Sequence, residues 1–300
     1  FANMLLKLWE DWHPDHLIIA FDKGKKTFRT ELYPDYKGTR DKTPAELLGQ
    51  IPLLHDFAAA LGIPFIERAG YEADDIIGTL ATQAAGAGLD ALVVTGDRDA
   101  LQLVRPNLRV MLTKKGISQL AVYDEATFTE EYQLPPIRLI DLKGLMGDTS
   151  DNIPGVPGVG PKTATKLLVA YGSLENVFVH KVEVSGKKLQ ERLTTYEEQA
   201  RLSKVLATIN CQVPDLTLSL DDAIVTPDSE KLTSFCHRYG LAAILSRAGK
   251  VFNLDSREKS LPEYGGSETT EAAKTVEVLP ITPEALDTMK RADYLAVSAQ

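Results

Sequence analysis

The sequence predicts an α/β fold: a mostly parallel sheet flanked by helices, followed by a region of helices joined by short turns. Two apolar runs, residues 17–21 and 91–96, are each followed by an aspartate and have the unbroken hydrophobic pattern of strands buried on both faces. Residues 44–61 and 72–87, which lie between these runs, carry apolar residues at helical spacing. Strands that alternate with helices in this way are typical of α/β sheets.

The order of the elements divides the chain into four predicted parts. A helix over residues 1–12 lacks the strand that would precede it in such a sheet, so residues 1–105 are predicted to form an α/β core whose first strand is missing. Residues 106–252 are predicted to begin with a small hairpin and continue as helices. The polar segment 253–274 is predicted to be a flexible linker, and residues 275–300 to be the start of another domain.

Composition indicates a globular protein and gives no sign of a membrane-spanning segment. The chain has 300 residues, 44% of them hydrophobic, and no apolar run reaches the roughly 18 residues that a membrane span needs. Cys211 and Cys236 lack metal-type spacing and are predicted to be buried, reduced thiols in a cytoplasmic protein. The net charge of −9 disfavours a protein that coats nucleic acid, but seven basic residues against three acidic ones lie between Lys23 and Lys42.

Carboxylates collect at the predicted strand ends and helix starts. Asp22 and Asp97 each follow a strand, and Asp148 lies beside a glycine-rich turn. Because ligands of parallel sheets bind beyond the carboxyl ends of the strands, we expect these acids at one edge. Like charges gathered there need cations, and Mg²⁺ prefers oxygen ligands. The predicted metal ligands are Asp22, Glu72, Asp74, Asp75, Asp97, Asp99, Asp148 and Asp151.

Each acidic group also has an ordinary structural explanation. Acids in the first turn of a helix favour its dipole. Aspartates at a strand end form turns or cap the following helix, and aspartates in a glycine-rich loop are common surface turn residues. The case for a metal site therefore depends on the groups converging in the folded protein.

The basic strip contains an aromatic ring beside two cations, within residues 36–40. If this segment is helical, Lys37 and Arg40 share a face. They could then hold the scissile phosphate while Tyr36 stacks on a base. Arg29 and Lys25 could extend this phosphate-binding track. The alternative is a solvated basic loop with a packing tyrosine.

Residues 155–164 have the pattern of a helix-hairpin-helix turn, which is the most specific single signal in the chain. Glycines allow the backbone to approach phosphates closely, and Pro161 suits the first turn of the next helix. Such a hairpin recognises shape and charge without reading bases; the alternative is an ordinary tight turn. Later basic residues, such as Lys187, Lys188, Arg192 and Arg201, are interpreted as solvated helix faces. The DNA-binding residues predicted here are Gly155, Gly158, Gly160, Lys162, Thr163 and Lys166.

Five motifs, in this order, resemble those of the 5′-nuclease domains of bacterial DNA polymerases I, which belong to the flap endonuclease superfamily. They are Ile-Ala-Phe-Asp at 19–22, Tyr-Lys-Gly-Thr-Arg at 36–40, Gly-Tyr-Glu-Ala-Asp-Asp at 70–75, Val-Thr-Gly-Asp-Arg-Asp at 94–99 and Gly-Asp-Thr-Ser-Asp-Asn-Ile-Pro-Gly at 147–155. The resemblance covers about residues 1–255.

The resemblance implies a PIN/flap-endonuclease-like fold with a helical arch and a helix-three-turn-helix region. It implies hydrolysis of DNA by two or more Mg²⁺ or Mn²⁺ ions held by the acids, with Lys37 and Arg40 steadying the scissile phosphate and Tyr36 stacking on the substrate. It also implies a K⁺ ion at the hairpin. The implied substrates are DNA with 5′ flaps, nicks or 5′ ends, and RNA primers on DNA. A monomer at the bacterial nucleoid, with a polymerase domain in the same longer chain, completes this expectation.

Two features depart from the family pattern. The family's first strand, with another metal-binding aspartate, is absent here, so we expect the isolated chain to be weakened or inactive. The tail from residue 275 resembles the start of a 3′-5′ exonuclease-like domain, but residues 294–300 lack the Asp-x-Glu pair of proofreading members.

Three other functions remain open. The chain could be a flap- or junction-binding module with impaired catalysis, or a standalone 5′ nuclease without a polymerase. It could also be a phosphatase or nucleotide-binding protein built around Asp97 and Asp99, although that function leaves the hairpin unexplained.

Overall fold

The computed structural model describes residues 1–40, 44–113, 120–254 and 293–298. The strands are β1 (His16–Ala20), β2 (Phe65–Ile66), β3 (Asp90–Thr95), β4 (Leu108–Thr113), β5 (Leu120–Tyr123) and β6 (Asp293–Ser298). The helices are α1 (Ala2–Trp12), α2 (Phe28–Leu32), α3 (Ala45–Leu48), α4 (Ile51–Ala60), α5 (Ala73–Gly86), α6 (Glu125–Tyr132), α7 (Leu139–Met146), α8 (Pro161–Tyr171), α9 (Leu174–Val179), α10 (Lys187–Thr195), α11 (Glu197–Ala207), α12 (Ser229–Arg238) and α13 (Ala242–Val251).

The strands form one sheet in the order β2-β1-β6-β3-β4-β5. β1 pairs in parallel with β2, and β3 pairs in parallel with β4. β6 lies between β1 and β3 and is antiparallel to both, so β1 and β3 point the same way. Four of the six described strands therefore share one direction, which confirms the predicted α/β class and mostly parallel sheet.

Side chains of the central strands alternate between two hydrophobic cores, one on each face of the sheet. Ile18 of β1 and Val93 of β3 pack with α5 and α7 on one face. Leu17 of β1 and Leu92 of β3 pack with α1, α4, α12 and α13 on the other. Burial on both faces is what the unbroken apolar runs predicted.

The sequence predicted that the sheet lacks an inner strand. In the structure, β6 fills an inner position, between β1 and β3. In register, Ile18 of β1 and Val93 of β3 both lie opposite Leu295. Without β6 the facing N–H and C=O groups of two buried strands would lack partners, and that is costly. The tail strand thus pairs with the core. The four domain boundaries stay predictions, and most of the predicted linker and tail lies outside the described residues.

Three local expectations differ from the structure. The helix predicted over residues 44–61 is two helices, because turn residues separate α3 from α4 and a proline begins α4. Residues 36–40 form a turn, since Lys37 has a left-handed φ of +55° that a helix cannot accommodate. The sheet also continues past residue 105, through β4 and β5. The turn of the predicted hairpin, 114–119, lies outside the described residues.

The remaining described chain is helical from α6 to α13. The segment 147–160 joins α7 to α8 and contains the start of the predicted helix-hairpin-helix turn (the hairpin). Both cysteines are free; Cys236 is buried, as predicted, whereas Cys211 is half-buried. Across the described ranges, the helices are all too short or too polar to cross a membrane.

Candidate metal and nucleic-acid site

The site lies at the edge of the sheet where β1 and β3 end. Asp22 follows β1 and Asp97 follows β3, and the strands share a direction, so both aspartates reach the same edge. α5 begins there as well: the N–H of Ala73 donates a 2.7 Å hydrogen bond to Oδ1 of Asp22. Oδ1 of Asp97 accepts the N–H of Asp99 and caps the 3₁₀ turn Arg98–Leu103. These two aspartates thus have the backbone roles of the ordinary explanation while lying at the predicted edge.

Arg29 is buried at the centre of this edge, with 2% of its surface exposed. Nη2 and Nη1 donate to the carboxylate of Asp75 at 2.7 and 2.8 Å, and Nη1 also donates to Glu72 at 3.2 Å. Nε and Nη2 donate to the carbonyl oxygens of Leu206 and Thr208. The guanidinium of Arg29 is thus enclosed and bonded within the protein in this structure, and its contact with DNA stays a prediction.

Asp75 is fully buried and belongs to the scaffold. Its carboxylate accepts the two bonds from Arg29 and also the backbone N–H groups of Glu72, at 3.0 Å, and Asn210, at 2.8 Å. Four donors fill the acceptor capacity of a carboxylate. In this structure Asp75 anchors α5, and its role as a metal ligand stays a prediction.

The turn at residues 36–40 packs on the loop that carries Asp151. The N–H of Lys37 donates to the carbonyl of Asp151 at 2.9 Å. Nζ of Lys37 lies 2.7 Å from Oε1 of Glu72 and 3.9 Å from Oδ2 of Asp151, and the Arg40 guanidinium pairs with Asp151. Burial alone would lower the pKa of Lys37, but the carboxylates of Glu72 and Asp151 outweigh it and raise the pKa. Both cations remain charged and reach the acids from a turn.

Tyr36 is buried, with 6% of its surface exposed, against Ile153, Leu206 and Ala207. Its hydroxyl lies 3.1 Å from Oε2 of Glu72 and 3.2 Å from Oδ2 of Asp151. A ring enclosed in this way is not available to stack on a base in this structure. In this structure Tyr36 packs against these residues and bridges two acids, and its stacking on a base stays a prediction.

Lys143 bridges two aspartates from different elements. Its ammonium is bonded to Asp99, which follows β3, and to Asp148, which follows α7. Burial raises the pKa of Asp99 to about 7 despite this ammonium. Burial also opposes ionisation of Asp148, but Lys143 and two hydrogen bonds from Ser150 lower its pKa. Lys143 is not among the residues predicted from the sequence, although a lysine within the apolar run of α7 is the signal of a buried, paired charge.

The carboxylates and cations form one alternating network. Asp75 and Glu72 share Arg29, Glu72 and Asp151 share Lys37, and Asp148 shares Lys143 with Asp99. Asp148 and Asp151 are held in one loop, closed by two backbone hydrogen bonds between Asp148 and Ile153. Asp74 lies in the first turn of α5. The structure thus brings the predicted acids to one place, together with basic side chains.

The donor set fits a hard divalent cation, although the carboxylates are paired with cations here. Within the described ranges, no three acidic, histidine or cysteine side chains converge closely enough to form a complete metal cluster. Mg²⁺ needs less, because it binds through one or two carboxylates and completes its shell with water and substrate phosphate. The position between Asp99 and Asp148, where the ammonium of Lys143 lies, favours positive charge and supplies two carboxylates.

The hairpin presents backbone and cations to solvent beside this network. Gly158 has a left-handed φ of +75° at the exposed tip. Gly160 precedes α8, whose first turn has no side-chain cap, while Lys162 and Lys166 are exposed and Thr163 is half-buried. Arg192 is exposed, as predicted for a solvated helix face, and its Nη1 also lies 3.4 Å from the carbonyl oxygen of Gly158 at the tip.

Two family models match the chain. Residues 1–133 match the N-terminal resolvase-like domain of 5′-3′ exonucleases, and residues 134–231 match their C-terminal SAM fold. The chain belongs to the 5′-3′ exonuclease family. DNA polymerase I of Bacillus caldotenax is 47% identical over 248 residues, which are 82% of this chain and 28% of that protein. DNA polymerase I of Bacillus subtilis is 41% identical over 281 residues, 93% of this chain and 32% of that protein. The chain thus spans less than a third of the curated relatives it matches.

Two solved structures share the fold. A zinc-bound T5 5′-exonuclease superposes with a TM-score of 0.60 at 24% identity, covering 82% of this chain and 89% of that one. The catalytic core of Rad2 in complex with DNA superposes with a TM-score of 0.53 at 18% identity, covering 84% and 82%. These likenesses confirm the predicted flap-endonuclease-like fold with its helical second region.

Proposed function

We propose that this chain is the 5′-nuclease part of a bacterial DNA polymerase I and hydrolyses DNA phosphodiesters near 5′ ends and flaps. The observation that carries the proposal is the alternating network of acids and cations beside the exposed hairpin. Carboxylates to hold cations, basic groups to hold phosphate and a duplex-binding hairpin are the parts that phosphodiester hydrolysis needs.

A divalent cation in this site would activate water and stabilise the leaving oxygen. Asp99 and Asp148 would hold it in place of the Lys143 ammonium, together with Asp22 and Asp97 at the same edge of the sheet. Lys37 and Arg40 would hold the scissile phosphate. Their side chains are 21% and 29% exposed, so a phosphate can replace their carboxylate partners.

That exchange also explains how the other acids join the site. Glu72 and Asp151 are the carboxylates that Lys37 and Arg40 hold in this structure. When a phosphate takes over these basic groups, both carboxylates lose a cationic partner, and Oε1 of Glu72 and Oδ1 of Asp151, which those cations held, become available to a second cation. Mg²⁺ or Mn²⁺ would fill this role, because their ligands are oxygen atoms.

The hairpin would hold the duplex through Gly158, Gly160 and the cations of the first turns of α8. The substrates would be 5′ flaps, nicks, 5′ ends and RNA primers on DNA. The backbone carbonyls of the hairpin would hold a K⁺ ion. We further propose that the protein acts as a monomer at the nucleoid, within a longer chain that carries the polymerase.

Cleavage of a 5′-flap duplex in Mg²⁺ by the polymerase-length protein tests this function. Asp97→Ala should abolish turnover. Lys37→Ala should slow it by about 10²–10³-fold, with a smaller loss of binding, because its charge acts on the reacting phosphate. Lys26→Ala is the matched control, since Lys26 is exposed and pairs only at the surface with Glu31.

The possible results separate the competing functions. Near-normal rates in both site variants would overturn the site assignment. Binding without cleavage by the unmodified protein would favour a DNA-binding module. Hydrolysis of small phosphomonoesters, with no effect on flap DNA, would favour a phosphatase.

A further inference from the structure

Helix α11 links the hairpin to the acidic site. It packs along α7, whose end leads into the loop of Asp148 and Asp151. The side chains of Gln199 and Ser203 reach the hairpin, and the backbone carbonyls of Leu206 and Ala207 reach the network of acids and cations. The family motifs do not include this helix.

At the hairpin end, two side chains of α11 bond to the backbone N–H and C=O groups of Gly155. The N–H of Gly155 donates to Oγ of Ser203 at 3.0 Å, and Nε2 of Gln199 donates to the carbonyl oxygen of Gly155 at 2.6 Å. Oγ of Ser203 in turn donates to the carbonyl of Gln199 at 2.7 Å, and Ser203 is fully buried. The start of the hairpin is thus bonded to α11 from both sides.

At the other end, the last backbone groups of α11 are bonded to the acidic site. Arg29, which pairs with Asp75, donates to the carbonyl of Leu206 at 2.9 Å. Gln102 lies in the 3₁₀ turn that follows Asp97, and its Nε2 donates to the carbonyl of Ala207 at 3.0 Å. Both Arg29 and Gln102 are buried. Arg29 supports α5, which carries Asp75, and Gln102 lies in the 3₁₀ turn that carries Asp99. Both side chains therefore bond to the C-terminal end of α11.

The middle of α11 is tied to α7 by a buried ion pair. Nζ of Lys204 lies 2.6 Å from Oδ1 of Asp141, whose side chain is fully enclosed. Gly144 of α7 lies against the backbone of Ala200; a Cβ there would be 3.2 Å from its carbonyl oxygen. Sliding α11 along α7 would therefore break the Lys204–Asp141 ion pair and the close contact of Gly144 with Ala200.

We infer that α11 is a positioning strut that sets the distance between the duplex-binding hairpin and the carboxylates, and so fixes the phosphodiester that is cut. Gln199 and Ala207 are eight residues apart, which is about 12 Å along a helix. A rigid spacer of that length holds the hairpin in one register relative to the acids. This inference rests on the proposed function.

The test uses the polymerase-length protein with Gln199→Leu, and with Gln199→Leu and Ser203→Ala together. Leucine keeps the size of Gln199 and removes its bond to the hairpin, so the single variant should fold even if the double variant does not. Gln190→Leu and Thr194→Ala are the controls. On α10 these residues make the same kinds of bonds, to the carbonyls of Val182, Val184 and Gln190, none of which belongs to the hairpin.

The readout is the position and rate of cleavage of a labelled 5′-flap duplex at single-nucleotide resolution. We expect duplex affinity without divalent cation to stay within about threefold, because the hairpin's phosphate contacts remain. We expect kcat to fall by at least about tenfold and the product to spread over neighbouring positions, since small misplacements are costly in rate. The controls should cut at one position at the unmodified rate.

If the Gln199→Leu variant gives a single product, cut at the same position as by the unmodified protein, the strut is overturned whatever the rate of cleavage. A spread of products that the two control variants share would also overturn it. The unmodified protein reports on the proposed function in the same assay: if it cleaves no flap, both proposals fail, whereas identical products from it and the variants overturn only the strut.

Discussion

The guanidinium of Arg29 and the carboxylate of Asp75 form a two-bond ion pair inside the protein, with N–O distances of 2.7 and 2.8 Å. The side chains are 3% and 0% exposed. The pair joins α2 to α5, and both partners also bond to the chain that follows α11. One buried pair thus supports three of the elements around the site.

Replacing Arg29 with methionine should lower the free energy of unfolding by about 3–5 kcal/mol, because Asp75 would keep a buried, unpaired charge. Adding Asp75→Asn should recover part of that loss, since the amide is neutral and still accepts hydrogen bonds. Urea denaturation followed by circular dichroism measures both effects. If Arg29 were a DNA contact, its loss would weaken DNA binding and leave stability unchanged.

Lys143→Met should make the protein's stability depend more strongly on Mg²⁺. Without the ammonium, Asp99 and Asp148 repel each other, and a divalent cation between them gains more free energy than in the unmodified protein. The measurement is the rise in Tm on adding Mg²⁺, compared between Lys143→Met and the surface control Lys231→Met. Equal rises in the two variants would place the cation elsewhere.

Gly155→Ala should destabilise the protein by more than about 3 kcal/mol or prevent folding, because two kinds of strain add. Gly155 has a left-handed φ of +59°, and a Cβ would lie 2.1 Å from the backbone nitrogen of Gly147. Gly249→Ala in α13 is the control: nothing lies within 4 Å of its Cβ position, and the helix should gain about 0.5–1 kcal/mol. Thermal melting of both variants is the measurement, and equal melting temperatures would contradict the close approach of Gly155 to Gly147.

The ion pair between Glu10 of α1 and Arg247 of α13 predicts a pH-dependent stability. Arg247 donates to both oxygens of Glu10, at 3.0 and 2.5 Å, and these hydrogen bonds lower the pKa of Glu10 below its ordinary 4.5. A lowered folded-state pKa contributes stability above pH 4.5 that is lost as the pH falls through the folded value. Arg247→Gln should therefore melt below the unmodified protein at pH 7 and approach it in acid. A difference that stays constant down to acid pH would rule out this pair as its source.

The sequence was sufficient to predict the fold class and the edge of the sheet at which the acids meet. β1 and β3 are apolar enough to be buried on both faces, and their common direction brings Asp22 and Asp97 to one edge. This inference needs only the pattern of hydrophobic residues and the rule for parallel strands.

The roles of individual side chains could not be predicted from spacing. Arg29, Tyr36 and Lys37 all lie in the basic strip between Lys23 and Lys42. Arg29 and Tyr36 are nevertheless buried, whereas Lys37 is partly exposed. The difference comes from Leu206 and Ala207, which are far away in sequence and cover Tyr36 in the folded protein. Lys143 was missed for the same reason, because its partners are 44 and 5 residues away.

Non-additivity of two aspartates from different elements tests the convergent site most directly. Flap cleavage in Mg²⁺ is measured for the polymerase-length protein with Asp99→Ala, with Asp148→Ala and with both. If the two carboxylates act as one site, each single variant loses about 10³-fold or more and the double variant is no worse than either. Near-normal rates in the single variants, or losses that multiply in the double variant, would contradict a shared site.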